Sequence, residues 1–268
     1  MFLPIIFTRT KFLDYRLIVA PYFLENNNIF SKVKDKIVSI SSTDGYRGDL
    51  NGRRFHVLAL EGTPYVILGI VTEEFAHRDI GNRPIRGYYG IVCKKSDVKD
   101  LDITNLNWQY LDDQYIKPIF ETEDPKTNYL KSWIDLDKLS NNQMEFIDAP
   151  KIKTQVKFNC DSRYIRIIGN KLLNSPNGLK YLLSKAITNL EKVDKFELVV
   201  GINSLKHVKE IGSLNAVTCT LEEDKLYSLD LQEEKESDSF TKKITTGSVI
   251  AFLSLLAGSL MVRHFFCK

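Results

Sequence analysis

The chain has 268 residues, with 37 Lys+Arg against 34 Asp+Glu, 43% apolar residues and 11% aromatic ones. That length buries a core in one large domain or two small ones, and the aromatic content with a net charge of only +3 excludes disorder for the bulk. Collagen-like, mucin-like and disulfide-scaffold classes are excluded by 14 Gly, 8 Pro and 4 Cys.

Residues 1–121 read as a β-rich, mostly antiparallel domain. Runs of branched and aromatic residues predict strands at Phe2–Thr8, Tyr15–Phe23, Ile37–Ser41, Phe55–Leu60, Tyr65–Val71, Tyr88–Cys93 and Tyr115–Phe120. Asp44-Gly45, Asn51-Gly52 and Gly62-Thr63-Pro64 supply the turn chemistry between them, and Phe55–Val71 fits a hairpin. Residues 122–150 turn polar, with Tyr129, Leu130, Trp133, Ile134 and Leu136 at partly helical spacing; they read as a linker with a short helix. Residues 151–221 read as a smaller α+β subdomain of α/β type in the order β-β-α-β-α-β. Its expected strands are Val156–Asn159, Tyr164–Ile168, Phe196–Val200 and Ala216–Leu221. Ser175 caps, and Pro176 opens, a helix whose face is Leu179, Leu182, Leu183, Ala186, Ile187 and Leu190. Ser204 caps a second helix, ended at Gly212. The fold class expected is therefore α+β.

Residues 222–243 read as an acidic tether, since Leu221–Lys243 holds eight acidic and four basic residues. Ile244–Val262 then runs nineteen residues without a charge. As a helix it is roughly 28 Å long, the hydrocarbon thickness of a bilayer. Lys242, Lys243, Arg263 and Lys268 flank it and reach headgroups by snorkelling. No signal peptide precedes it, so a tail-anchored, single-pass membrane protein with its head in the cytoplasm is expected. Within the span Gly247, Ala251, Ser254 and Gly258 recur at intervals of four, three and four. Such a small-residue face lets helices approach closely in lipid and predicts a homo-oligomer.

Arginine is uneven: six of eleven lie between residues 47 and 86. The segments YRGDLNGRR and HRDIGNRPIRGYYG offer Arg47, Arg53, Arg54, His77, Arg78, Arg83, Arg86 and Tyr88 as ligand-binding residues. Guanidinium groups bind phosphate bidentately, and the tyrosines (Tyr46, Tyr88, Tyr89) offer rings on which a base stacks. A nucleotide or nucleic-acid ligand is the partner this implies, weighed against simple surface ion pairs with Asp49 and Asp79. No cofactor and no metal is expected, because Cys93, Cys160, Cys219 and Cys267 share no ligand spacing. Enzymatic motifs are absent, and the histidines (His56, His77, His207, His264) are scattered.

In organisation, with an arginine-bearing head, an acidic tether and the span TTGSVIAFLSLLAGSLMV, the chain resembles bacterial anti-phage membrane effectors. The resemblance is one of architecture alone. It implies a soluble head that senses a nucleotide signal and drives assembly or opening of a membrane pore. The competing reading is a tail-anchored adaptor that binds a protein partner and uses the helix only as an anchor. A membrane-tethered enzyme is a third, marked by a cleft where carboxylates or histidines converge.

Overall fold

A computed structural model of the protein describes residues 2–25, 29–41, 53–73, 75–101, 106–140, 153–154, 164–169, 190, 194–202, 208–209, 211, 216–222 and 225–229. All belong to the compact unit Met1–Leu229. The fold is mixed α+β, dominated by one large, mostly antiparallel sheet.

Its strands are β1 (Leu3–Thr8), β2 (Arg16–Pro21), β3 (Arg54–Ala59), β4 (Tyr65–Thr72), β5 (Gly87–Lys94), β6 (Asn128–Leu130), β7 (Lys153–Thr154), β8 (Tyr164–Ile168), β9 (Glu197–Ile202), β10 (Val217–Glu222) and β11 (Lys225–Leu229). They lie side by side in the order β6-β2-β1-β5-β4-β3-β9-β8-β10-β11-β7. β3 and β4 form the expected hairpin, with Val57 opposite Leu68. Its turn needs the left-handed backbone of Gly62 (φ +70), and Thr63 Oγ1 closes it by donating to Leu60 O at 2.8 Å. The antiparallel β3–β9 pairing joins the region expected as a β-rich domain to the one expected as a separate α+β subdomain. Beyond it, β8 pairs parallel with both β9 and β10.

Both faces of the sheet are covered, which is why its central strands are nearly continuous apolar runs rather than alternating ones. On one face Phe55, Val57, Val66, Leu68, Ile91, Leu198 and Val200 pack beneath the helical segments at Leu111, Ile116 and Leu139. On the other, Ile5, Ile67, Tyr88, Val92 and Val199 pack against Val33, Ile37 and Ile40 of helix α1 (Ile29–Ser41).

Several expectations change here. Ile37–Ser41 is the end of α1, not a strand: Val33, Ile37 and Ile40 repeat at helical spacing and bury one side. Tyr115–Phe120 is also not a strand. It continues helix α2 (Trp108–Leu111) through a π-helical turn, Asp112–Ile116, and a 3₁₀ turn, Lys117–Ile119. In the linker, Tyr129 and Leu130 lie in β6, and the short helix is α3 (Leu136–Leu139). Lys225–Leu229, expected within the tether, is β11, hairpinned to β10 with Glu222 opposite Lys225. Val156–Asn159, most of the two later helices, the rest of the tether and the span 244–262 lie outside the described residues. Among the described residues no helix is long and apolar enough to cross a membrane. Cys93 and Cys219 are buried free thiols, each pushed up to about 12 by burial.

Candidate functional site

The arginine-rich segments do not assemble one anion-binding surface among the described residues. Arg54 opens β3, is fully buried, and donates to Ile40 O at the end of α1. Arg86 is buried just before β5, its guanidinium 4.0 Å from the Glu73 carboxylate. Tyr88 is buried as well, its hydroxyl 3.0 Å from His56 Nδ1. Arg54 and Tyr88 point inward because their strands are covered on both faces, and Arg86 is buried beside β5, so the three are withdrawn from the solvent-facing anion site the sequence suggested. Arg83 clasps Asp79 through Nε at 2.8 Å and a terminal nitrogen at 2.7 Å, with Arg9 3.3 Å from the same carboxylate. The Arg83 main-chain and side-chain donors hold Asp79 below the usual carboxylate range. Arg78 is exposed, in an isolated bridge with Pro84, and Arg53 is partly exposed at the start of β3. Arg47, Gly247, Ala251, Ser254 and Gly258 lie outside the described residues.

Under α1 the sheet carries a buried polar network that links three neighbouring strands. His56, Arg166 and Glu197 come from β3, β8 and β9 and are all fully buried. Arg166 donates to Glu197 Oε2, Lys36 of α1 approaches the same oxygen at 3.3 Å, and His56 Nε2 lies 3.4 Å from Oε1. Burial pushes the Glu197 carboxyl up, but the His56 contact and the Arg166 and Lys36 charges outweigh it and bring it down to about 2. Burial lowers His56, so the ring is neutral. Nε2–H then faces Glu197 and Nδ1 accepts from the Tyr88 hydroxyl. This network is sealed and braces the fold.

Two open clefts lie among the described residues. The first, about 380 Å³, lies where the 3₁₀ turn Tyr22–Leu24 meets the β3–β4 turn and the segment after β6. Phe23 and Tyr65 stack at 4.9 Å between ring centroids and 18°, and Trp133 tilts beside Tyr65 at 6.3 Å. Lys131 places its ammonium 5.6 Å from the half-exposed Tyr22 ring. Among the described residues no acidic residue lines this cleft.

The second, about 370 Å³, surrounds His77 on the opposite face of the sheet from Tyr88. His77 follows β4 in a loop, while Asp112 opens the π-helical turn. His77 Nε2 lies 2.8 and 2.9 Å from the two Asp112 carboxylate oxygens, and Tyr89 of β5 donates its hydroxyl to Asp112 Oδ1 at 2.7 Å. Burial, then the Asp112 charge, pushes the Tyr89 phenol well up, so it stays a donor. The His77 ring stacks on Phe120 at 4.4 Å and 23°. Asp113 and Glu121 also line this cleft, which is therefore acidic where the first is basic.

Sequence reasoning singled out His77 but not Asp112, Tyr22, Phe23, Tyr65, Lys131 or Trp133. The available signal was Tyr65 directly after Gly62-Thr63-Pro64 and Trp133 two positions after Lys131. Comparison of the chain with protein-family models, with curated proteins and with solved structures finds no match to any of them.

Proposed function

We propose that this chain is a membrane-anchored, ligand-responsive effector whose head binds a planar, phosphate-bearing ligand of the nucleotide class in the aromatic cleft. The observation that carries the reading is the cleft itself. It pairs aromatic rings at stacking distance with one lysine and no carboxylate. Every base has a π-face, and stacking on an aromatic side chain is worth about 1–3 kcal/mol per base. Lys131 makes no ion pair among the described residues, its ammonium lying by the Tyr22 ring, and is left to meet a phosphate. The binding residues are thus Tyr22, Tyr65, Lys131 and Trp133, in place of the arginines.

The finer architecture belongs to the same proposal. Residues 151–221 form an α/β-type layer, with helices crossing between the parallel strands β8, β9 and β10. Residues 244–262 span a bilayer, head in the cytoplasm, and associate through Gly247, Ala251, Ser254 and Gly258. Ligand binding favours an assembled arrangement of heads, and the spans then oligomerise or open a path, as in the anti-phage effectors the organisation resembles. The energetic requirement is that the ligand bind the assembled state better than the resting one.

The test uses the full chain in lipid nanodiscs, its thermal unfolding followed against mononucleotides, cyclic dinucleotides and short oligonucleotides. A ligand at 100 times its dissociation constant stabilises the head by about 2.7 kcal/mol. The expected result is a shift with one nucleotide class that Lys131→Ala and Trp133→Ala reduce. A native head that no nucleotide shifts overturns the proposal and favours the adaptor.

A further inference from the structure

The His77 cleft has no part in the ring-binding reading, yet it is the more tightly built of the two. Asp112 is 1% exposed and receives two donors, His77 and Tyr89. A carboxylate so placed fixes one tautomer of the imidazole: Nε2 carries the hydrogen and donates, and Nδ1 keeps its lone pair. Nδ1 has no hydrogen-bond partner among the described residues, while the ring itself lines the cleft. Phe120 stacked on one side prevents the ring from turning away.

The backbone holds this geometry at a cost. Ala76, immediately before His77, has φ 56, and Asn82 in the same loop has φ 58. A left-handed alanine costs roughly 1–2 kcal/mol, and such residues persist only where surrounding structure holds them. Here the pins are the Ile85 N–H donating to His77 O at 3.0 Å, the Arg78–Pro84 bridge and the Asp79–Arg83 clasp. The carboxylate partner stands on a π-helical turn, a distortion found preferentially at functional sites.

We propose that the His77–Asp112 pair is an acid–base dyad that hydrolyses small carboxylic esters, with water as the nucleophile. His77 Nδ1 takes a proton from water as the water oxygen bonds to the acyl carbon. The carbonyl electrons move onto its oxygen, which Gln109 and Lys117 of the lining, both donating to Asp113 in the resting structure, turn to meet. When the carbonyl re-forms, the bond from the acyl carbon to the alkoxy oxygen breaks. The proton on Nδ1 passes to the departing alkoxide, leaving acid, alcohol and the original imidazole. Asp112 stabilises the imidazolium in between, and Tyr89 positions Asp112.

The lining selects the substrate. Phe75 and Phe120 give an apolar wall, while Asp112, Asp113 and Glu121 outnumber the one lysine of the lining and disfavour anions, although Asp113 pairs with Lys117 and Glu121 with Lys11. Neutral or amine-bearing esters fit, and phosphate esters do not. The volume of about 370 Å³ limits the substrate to a small molecule.

The experiment follows p-nitrophenolate release by the full chain from p-nitrophenyl acetate, butyrate and phosphate across pH. The expected result is turnover of the two neutral esters and none of the phosphate. His77→Gln lowers kcat/KM by about 100-fold or more and removes one ionisation from its pH profile. Lys117→Met, at a side chain 71% exposed, lowers kcat by 10-fold or more with the fold intact, which keeps the test decisive should the loop variant unfold. Tyr89→Phe shifts the pH profile, as a positioning residue does and a merely structural one does not. Absence of turnover by the folded chain, equal rates in His77→Gln or Lys117→Met, or preference for the phosphate overturns the proposal.

Discussion

Tyr88 reaches His56 only because Gly69 lies between them. A Cβ on Gly69 would stand 2.3 Å from Tyr88 Cζ and its hydroxyl oxygen, so no other residue leaves room for the ring to cross β4. Gly69→Ala should therefore destabilise the protein by about 1–3 kcal/mol in chemical denaturation. Tyr88→Ala in the same chain should recover part of that loss, since the two changes share one space. The buried charges make a second prediction. Removing Arg166 as Arg166→Met strands Glu197 without its main partner and should cost about 3–5 kcal/mol. The pH dependence follows from the directions of the shifts. His56 is lowered from 6.5 in the fold, so the unfolded chain takes up a proton first, and its contribution fades as pH falls below 6.5. Glu197 is lowered from 4.5 to about 2, so its contribution is complete above 4.5 and is lost between there and about pH 2. Denaturation midpoints across pH should show both declines, and His56→Gln should remove the upper one.

Helix α1 shows why some elements are legible in sequence and others are not. Ile37, Val38 and Ile40 have the branched composition of a strand. Tertiary burial decided otherwise: Val33, Ile37 and Ile40 meet the sheet, while Val38 stays 43% exposed. Ile37→Ala should cost about 2–5 kcal/mol. Lys36→Ala, at a side chain 35% exposed, should cost under about 1 kcal/mol despite its ion pair. The hairpin of β3 and β4 was legible because apolar runs flank an unmistakable turn. Arg54, Arg86 and Arg166 were not, because a guanidinium inside a two-faced sheet is spelled like one on its surface. The clue lay in the alternation: Arg166 sits between Ile165 and Ile167, and Glu197 between Phe196 and Leu198. Asp112 and His77, 35 positions apart, meet only through the sheet that carries both.

Among the described residues, one sheet carries two open clefts of opposite character. The cleft at Trp133 is aromatic and bears a single cation; that at His77 is apolar-walled and acidic. A phosphate-bearing ring fits the first and is repelled by the second. If the head communicates with the span, replacing Gly247, Ala251, Ser254 and Gly258 by Leu should abolish ligand-dependent ion flux from liposomes while ligand binding persists. An adaptor would be indifferent to that change. The most direct measurement rests on the two tryptophans of the chain. In a Trp108→Phe background Trp133 is the sole indole, and a base stacking in its cleft quenches its emission. Saturable quenching by one class of nucleotide, weakened at least tenfold by Lys131→Ala, is the expected result. Emission that stays constant to millimolar concentrations of every nucleotide would contradict it.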